Sequence, residues 1–278
     1  VRWWVEPRGV VATVAEATPG GPVDGVQSLE RAFLLLELMA DAGGEVAISR
    51  LAAESGLPVS TIHRLVRTLV SRGYVRQLPS RRYVLGPRLI HLGEFAAREL
   101  TTWARPHLTW LVDAIGETAN LAVLDGDRVV YAAQVPSRHS MRMFTEVGRR
   151  VHLHCTGVGK VLLAQLPAGT ARELLVRGGM PARTDRTVTD PDRLLADLPV
   201  IAAQGYAVDD GEQEAGVRCV AVPVPGGSAA GAISVSGPAG RLALDAVPRV
   251  VPLLQQAAAA LAAELREDGV PLLSAPSS

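Results

Sequence analysis

The segment Ile48 to Leu69, ISRLAAESGLPVSTIHRLVRTL, holds two short stretches of helical apolar pattern separated only by Gly56, Leu57 and Pro58. A three-residue break containing glycine forces two helices to cross steeply rather than run on as one. Ser49 is expected to N-cap the first of them, and Gly56 to stop it. Pro58 or Ser60 opens the second, which runs to about Arg72 before Gly73. Upstream, an amphipathic helix begins near Val26, with Leu29, Ala32, Phe33, Leu36 and Leu38 or Met39 as its apolar face, and AGGEV ends it. Downstream, YVRQL and RYVL read as two short strands joined at a tip, PSR. Helix, helix, turn, helix and hairpin make a winged helix-turn-helix.

Within the third helix, Val59, Ile62, Leu65, Val66, Leu69 and Val70 are spaced by threes and fours and form the side that packs on the first two helices. Ser60, Thr61, His63, Arg64, Arg67 and Thr68 point elsewhere. A helix of this kind presents its N-terminal half to base edges: Ser60 and Thr61 allow close approach, and Arg64 can reach a guanine. Arg81 and Arg82 lie at the hairpin tip, where a wing meets phosphate or the minor groove. Arg50, Arg72 and Arg76 are further phosphate candidates. The chain has no net charge, but from Arg50 to Arg98 nine arginines face two glutamates. That local excess of seven positive charges is the footprint of a nucleic-acid-binding module. The duplex-reading candidates are therefore Arg50, Ser60, Thr61, His63, Arg64, Arg67, Arg81 and Arg82. A module of this size makes a modest interface, so two copies on palindromic double-stranded DNA are expected.

The 278 residues exceed what one small core needs. We divide them into a disordered tail (1–22), the winged helix-turn-helix (23–86), a linker helix (87–100), a second domain (101–268) and a second disordered tail (269–278). After Gly86-Pro87, residues 88–100 and 103–115 read as two helices. TANLAVL and RVVYAAQ are strands about a DGD hairpin turn, and MRMFTEVG is a candidate further strand. HCTGVGKVLLAQL is a glycine-rich entry to a helix; ARELLVRGG and DPDRLLADLPVIAAQG are helices, the latter with Asp190 or Asp192 near its start. YAVDDGEQ, VRCVAVPV and AAGAISVSGP are strand-like, and a final helix spans about Leu244 to Glu267. Strand pairs and helices alternate without a βαβ repeat, so the expected class is α+β. Apolar runs are too short to span a bilayer and no basic-then-apolar leader is present, so a cytoplasmic protein is expected.

Several polar residues interrupt apolar strands in this second domain. Ser234 and Ser236 are two apart and share a strand face. Cys219 stands among apolar neighbours and Asp209 follows a short strand. Cys155 to Gly159 form a small-residue loop whose N–H groups could face an anion. Together these could hold a carboxylate and one or two further polar groups in a concave pocket, with Met141 and Leu153 on its apolar side. Each has a plainer alternative. Gly157 and Gly159 could allow tight entry to the helix, the serines could bond to backbone, and Cys219 could be a small core residue. Asp209 could cap its loop or pair with Arg218, and Lys160 could bind an anion or face solvent.

Other chemistries fit less well. GVGK is too short for a phosphate-binding P-loop, and Val161 takes the Ser/Thr place. Cys155 or Cys219 with His152 or His154 would be the nucleophile and base of an enzyme, and the two histidines could begin a metal site, for which no third ligand is evident, although Asp209 or Cys155 could serve. The two cysteines, 64 apart, have no metal-binding spacing. We expect no catalytic residues, metal or cofactor.

VQSLERAFLLLELM, ISRLAAESGLPVSTIHRLVRTLVSRGYV, RYVLGPRLIHLG, TANLAVLDGDRVVY, HCTGVGKVLLAQLP, GYAVDDGEQEAGVRCVAVPV and GAISVSGP occur in this order. In them the chain resembles the IclR-type bacterial transcriptional regulators from about Val23 to Leu265. QVPSRHSMRMFTEVGRRVHLHCTGVGK looks most like the actinobacterial branch of the allantoin-pathway repressor. The resemblance implies a GAF-like effector-binding domain, dimers or dimers of dimers on operator DNA, and a response to small organic acids, most often as a repressor. In the allantoin-type members the effector resembles glyoxylate or allantoate. It also implies that Gly157, Val158 and Gly159 cradle a carboxylate, with Asp209, Cys219, Ser234 and Ser236 as the remaining effector contacts.

Overall fold

The computed structural model describes residues 26–143, 146–226 and 231–267. The tails expected at 1–22 and 269–278 lie outside the described residues. The chain forms two compact units that meet in sequence between Leu89 and Ile90.

The first unit contains α1 (Gln27–Asp41), α2 (Ile48–Ser55), α3 (Val59–Ser71) and the antiparallel pair β1 (Val75–Gln77) and β2 (Tyr83–Leu85). Gly56 closes α2 in the left-handed conformation at φ +67°, with its N–H on the Ala52 carbonyl. This is what frees the chain to turn sharply into Pro58. Ser49 is not the cap: α2 starts one residue earlier, Ala47 takes the cap position without a side-chain bond, and Ser49 lies exposed in the first turn. The core is Leu35, Met39, Val46, Leu51, Ile62, Val66, Val75 and Tyr83. Val46 exchanges two backbone hydrogen bonds with Tyr83 (2.9 and 2.8 Å), tying the hairpin to the connection between α1 and α2.

Two helix faces differ from expectation. In α1 the buried stripe is Leu35 and Met39, while Leu29 and Phe33 are exposed. The run FLLLELM offers overlapping apolar stripes, and the small hairpin unit has room to cover one. In α3, Ile62 and Val66 are buried and Leu65 and Leu69 half-buried, but Val59 and Val70 are exposed. They lie at the helix ends, beyond the reach of α1 and α2.

The second unit is built on a six-stranded antiparallel sheet in the order β5-β4-β3-β8-β7-β6. Its strands are β3 (Thr118–Asp125), β4 (Arg128–Val135), β5 (Arg150–His152), β6 (Ala207–Asp210), β7 (Val217–Pro223) and β8 (Gly231–Pro238). The helices are α4 (Arg88–Ile115), α5 (Gly157–Leu163), α6 (Ala168–Gly178), α7 (Pro191–Gln204) and α8 (Val247–Glu267), the last preceded by a short 3₁₀ turn, Leu244–Ala246. α4 is one helix where two were expected. Pro106 lies inside it; the loss of one i→i−4 bond is outweighed there by the burial of Ala104, Leu108, Leu111 and Val112 against the sheet. The expected strand in MRMFTEVG is absent from the described residues 141–143 and 146–148, and Phe144 and Thr145 lie outside them. The edge strand is Arg150–His152 instead, because its residues find a partner in Arg128–Val130.

Strand alternation sorts side chains onto two faces. Ala119, Leu121, Val220, Val222, Ile233 and Val235 face a core shared with α4 and α8. Leu244–Glu267 is long and apolar enough to cross a membrane by composition, but Val250, Leu254, Leu261 and Leu265 are buried in that core. On the other face, Ala122, Ala207, Ala221 and Ala232 meet Val158, Val161 and Leu162 of α5, with α6 and α7 outside. Tyr131 pairs with Ala122 in the regular register of the hairpin and lies on this second face; a bulge between Leu121 and Ala122 then adds Ala132 to β4 and brings Gln134 opposite Asn120.

α5 reaches the sheet because two glycines open its first turn. A Cβ on Gly159 would lie 2.2 Å from the Leu153 carbonyl oxygen, and one on Gly157 would lie 3.2 Å from the Cys219 sulfur. Gly159→Ala is expected to destabilise the second unit by about 3 kcal/mol, since backbone must move to admit the methyl. Urea unfolding followed through Trp103 and Trp110 checks this.

Candidate functional site

The first candidate surface is the free side of α3 with the hairpin. Burial of Ile62 and Val66 fixes the rotation of the helix, so Ser60, His63, Arg64 and Arg67 are all exposed and Thr61 half-exposed. Thr68 bonds back to the Arg64 carbonyl (3.2 Å), keeping its hydroxyl on the helix. Arg81 and Arg82 are exposed at the hairpin tip. Arg81 N–H donates to Leu78 O, Leu78 N–H to Arg82 O, and Arg81 sits at φ +62°. An arginine in this left-handed conformation costs about 1–2 kcal/mol, so folding alone would favour glycine here. Arg50 is exposed but pairs with Glu54 one turn on, at 2.7 Å. Among the described residues it is the one of the proposed basic contacts that forms an ion pair.

The second candidate lies where α5 meets the sheet. In register across the strands, Thr118 opposes Ser236, Ser236 opposes Cys219, and Cys219 opposes Asp209. Two residues along, Gln134, Asn120, Ser234 and Ala221 form the next row. All these side chains therefore share the face under α5. The structure brings Gly157, Cys219, Ser234, Ser236 and Asp209 together from four elements. Thr156 caps α5, its hydroxyl accepting from Gly159 N–H at 3.1 Å. Of the three backbone groups of the expected cradle, Gly159 is thus already used, while the first-turn N–H groups of Gly157 and Val158 have no partner within the helix.

Asp209 is buried, and its Oδ1 accepts from the backbone N–H groups of Glu212 (2.7 Å) and Gln213 (3.3 Å). It caps its loop; Arg218 pairs with Asp210 instead. Burial raises the Asp209 carboxyl to about 6 despite those bonds, with the nearby Glu212 charge adding to the rise. Lys160 neither faces solvent nor offers a free charge: its ammonium is buried on Glu212 Oε1 (2.5 Å) and the Val208 carbonyl (2.6 Å). This pair ties α5 to the loop after β6. Leu153 is buried here, whereas Met141 is 72% exposed.

Burial pushes the Cys155 thiol up to about 12 and the Cys219 thiol up to about 11. Both are protonated at neutral pH, and Cys155 donates to Gln213 Oε1 at 2.8 Å rather than to a histidine. His154 is fully buried on the Pro181 carbonyl and held down to about 4, chiefly by desolvation. A thiolate–imidazole pair does not form. His152 and His154 rings lie 5.3 Å apart edge to face, but the described residues hold no group of three His, Cys, Asp or Glu suited to a metal.

Three residues of the site escaped the sequence reading. Asn120 is fully buried, Tyr131 nearly so, and Gln134 half-buried. Burial raises the Tyr131 phenol well above its ordinary value, and the nearby Cys219 and Asp209 add to the rise. Thr118 and Asn120 carried the signal used for Ser234 and Ser236, two polar residues on one parity of an apolar strand. Tyr131 joins the face through hairpin pairing with Ala122, and Gln134 only through the bulge. A separate cavity of about 250 Å³ is lined by Ile115, Glu117, Arg241, Leu242, Arg249 and Leu253, on the opposite side of the sheet. There Glu117 takes two hydrogen bonds from Arg241, one at 2.8 Å, which leaves their charges satisfied by each other.

A winged helix-turn-helix joined to a domain with a buried polar site defines a transcription regulator with an effector-binding domain. Residues 28–79 match the IclR helix-turn-helix domain, and residues 95–263 match the bacterial transcriptional regulator IclR C-terminal family. The chain is 37% identical over 247 residues to the transcriptional repressor IclR of Escherichia coli K12, covering 86% of this chain and 89% of that one. The crystal structure of an IclR transcriptional regulator from Alicyclobacillus acidocaldarius is similar at TM-score 0.74 and 31% identity, covering 86% and 98%. An IclR homologue from Microbacterium hydrocarbonoxydans, solved in complex with 4-hydroxybenzoate, is similar at TM-score 0.70 and 28% identity, covering 86% and 99%. The chain belongs to the IclR family of bacterial transcriptional regulators, and it is a regulator rather than an enzyme.

Two substitutions probe these surfaces. Arg81→Gly is expected to stabilise the first unit by about 1 kcal/mol while weakening DNA binding, read by thermal unfolding and fluorescence anisotropy on duplex DNA. The Asp209 carboxyl is held above its unfolded value, so it favours folding fully below about pH 4. That contribution is lost as pH rises to about 6. Asp209→Asn keeps both accepted bonds, so the variant is expected to gain stability over the parent at pH 7.5 but not at pH 4, measured by urea unfolding at both.

Proposed function

We propose that the protein is a sequence-specific repressor of a catabolic operon, released from its operator by a small organic acid such as glyoxylate or allantoate. The single observation that supports this best is one chain carrying both an exposed arginine face on α3 and a buried convergent polar site under α5. The first suits the major groove of palindromic double-stranded DNA. The second suits a carboxylate on the first turn of α5, with Asp209, Cys219, Ser234 and Ser236 around it. In this reading residues 23–86 bind DNA, 87–100 link, and 101–268 bind the effector, in the cytoplasm.

The working form is a homodimer or a dimer of dimers. In support, α1 and the residue before it leave Val26, Leu29 and Phe33 exposed, and α4 leaves Ile90, Leu92 and Phe95 exposed. Ligand acts by binding one arrangement of the two DNA-binding heads better than the other, with reciprocal coupling. A second reading is an activator with a different acid or an aromatic effector; the 4-hydroxybenzoate complex of the related homologue supports the aromatic ligand.

Mobility shift on the protein's own upstream DNA, titrated with glyoxylate, allantoate, pyruvate and 4-hydroxybenzoate, tests both. Release by one acid is the expected result; tighter binding with 4-hydroxybenzoate would favour the second reading, and no specific shift at low salt would overturn both. On the same DNA, Arg64→Ala is expected to weaken the specific complex roughly tenfold or more while sparing non-specific binding. An equal loss on all sequences would make Arg64 a phosphate contact.

A further inference from the structure

On the face of the sheet under α5, two neighbouring side chains are buried with hydrogen-bonding capacity left over. Asn120 on β3 and Ser234 on β8 oppose each other in register, and both are fully buried. Gln134 Nε2 donates to Asn120 Oδ1 at 3.2 Å, which holds the amide oxygen and leaves Nδ2 without an acceptor. The Ser234 hydroxyl lies near the Cys219 sulfur, a weak acceptor, but completes no hydrogen bond. The face does not orphan polar groups in general. Thr118, two residues before Asn120, donates to Met143 O and accepts from Ser137 N–H, both at 3.1 Å. An unmet buried amide N–H costs about 1–3 kcal/mol. Two such groups side by side on adjacent strands, within a site of convergent polar residues, are what a ligand-reading pair looks like before its ligand arrives.

The chemistry of the pair specifies its complement. Asn Nδ2 is a donor only, and Ser can donate through its rotatable hydroxyl. The group that satisfies both is an oxygen with two lone pairs. We propose that Asn120 is a specificity-determining residue of the effector site, gripping with Ser234 one carbonyl or carboxylate oxygen of the ligand. Gln134 is the positioning residue, since its bond to Oδ1 decides which end of the amide faces inward. The effector class is then an acid that carries such an acceptor oxygen at this end, and acids ending there in hydrocarbon are rejected. The inference rests on the acid-binding reading above.

The test uses the full-length protein and pairs of probes differing at one end: succinate against butyrate, and pyruvate against propionate. Calorimetric titration is expected to show the oxygen-bearing member of a pair bound at least about tenfold more tightly by the parent protein. Ser234→Ala and the double variant Asn120→Leu/Gln134→Leu should lose most of that preference. A parent that binds acids without this preference, or variants that keep it, would overturn the inference while leaving the acid-binding reading intact. If no acid binds the parent, that reading fails, and the ligand-free melting temperature decides on Asn120. A double variant melting at or above the parent keeps Asn120 as a group reserved for a ligand outside the panel, because removing both amides strands neither of them. A fall of several degrees would make the pair part of the folding core and end the proposal.

Discussion

Both faces of the central strands β3, β8 and β7 are buried, so no polar side chain there can rely on water. That constraint organises the second unit. One parity of each strand is apolar and packs on α4 and α8. The other parity carries Thr118, Asn120, Cys219, Ser234 and Ser236 beside alanines, and α5 lies over it. Polar groups in such a place must find partners within the protein or in a ligand. Thr118 finds two within the protein; Asn120 and Ser234 keep capacity in reserve.

The approach of α5 depends on the absence of two Cβ atoms. Gly159 lies against the Leu153 backbone and Gly157 against Cys219. Close contact of these glycines is what brings the first-turn N–H groups of Gly157 and Val158 up to the polar face of the sheet. Lys160 then anchors the same helix to Glu212, whose backbone N–H is held by Asp209. Helix, loop and strand end are thereby linked through one short chain of polar contacts around the site.

In the first unit the division of labour is simpler. Ile62 and Val66 turn α3 so that its short polar groups and arginines stand free, and the Val46–Tyr83 bridge fixes the hairpin beside the helices. Arg81 occupies a backbone conformation that glycine would adopt more readily. An arginine held in this conformation at an exposed tip is a feature that folding alone does not favour.

Much of this was legible in the order of residues. Gly56 and Pro58 determined the helix crossing, because a left-handed residue and a fixed φ leave few ways for the chain to continue. Spacing by threes and fours put Arg64 and Arg67 opposite Ile62 and Val66. Alternation put Ser234 and Ser236 on one face. The tertiary structure decided what local pattern leaves ambiguous: which apolar stripe of α1 is buried, that α4 runs through Pro106, and that Lys160 is paired rather than free. It also decided the membership of the site. Asn120 and Ser234 are 114 positions apart in the chain and become neighbours only through β3–β8 pairing, while Gln134 comes opposite Asn120 only because a bulge shifts the register of β4. Local sequence sets the period of a side-chain pattern; which strand lies beside which, and in what register, is settled by long-range pairing that no local pattern contains.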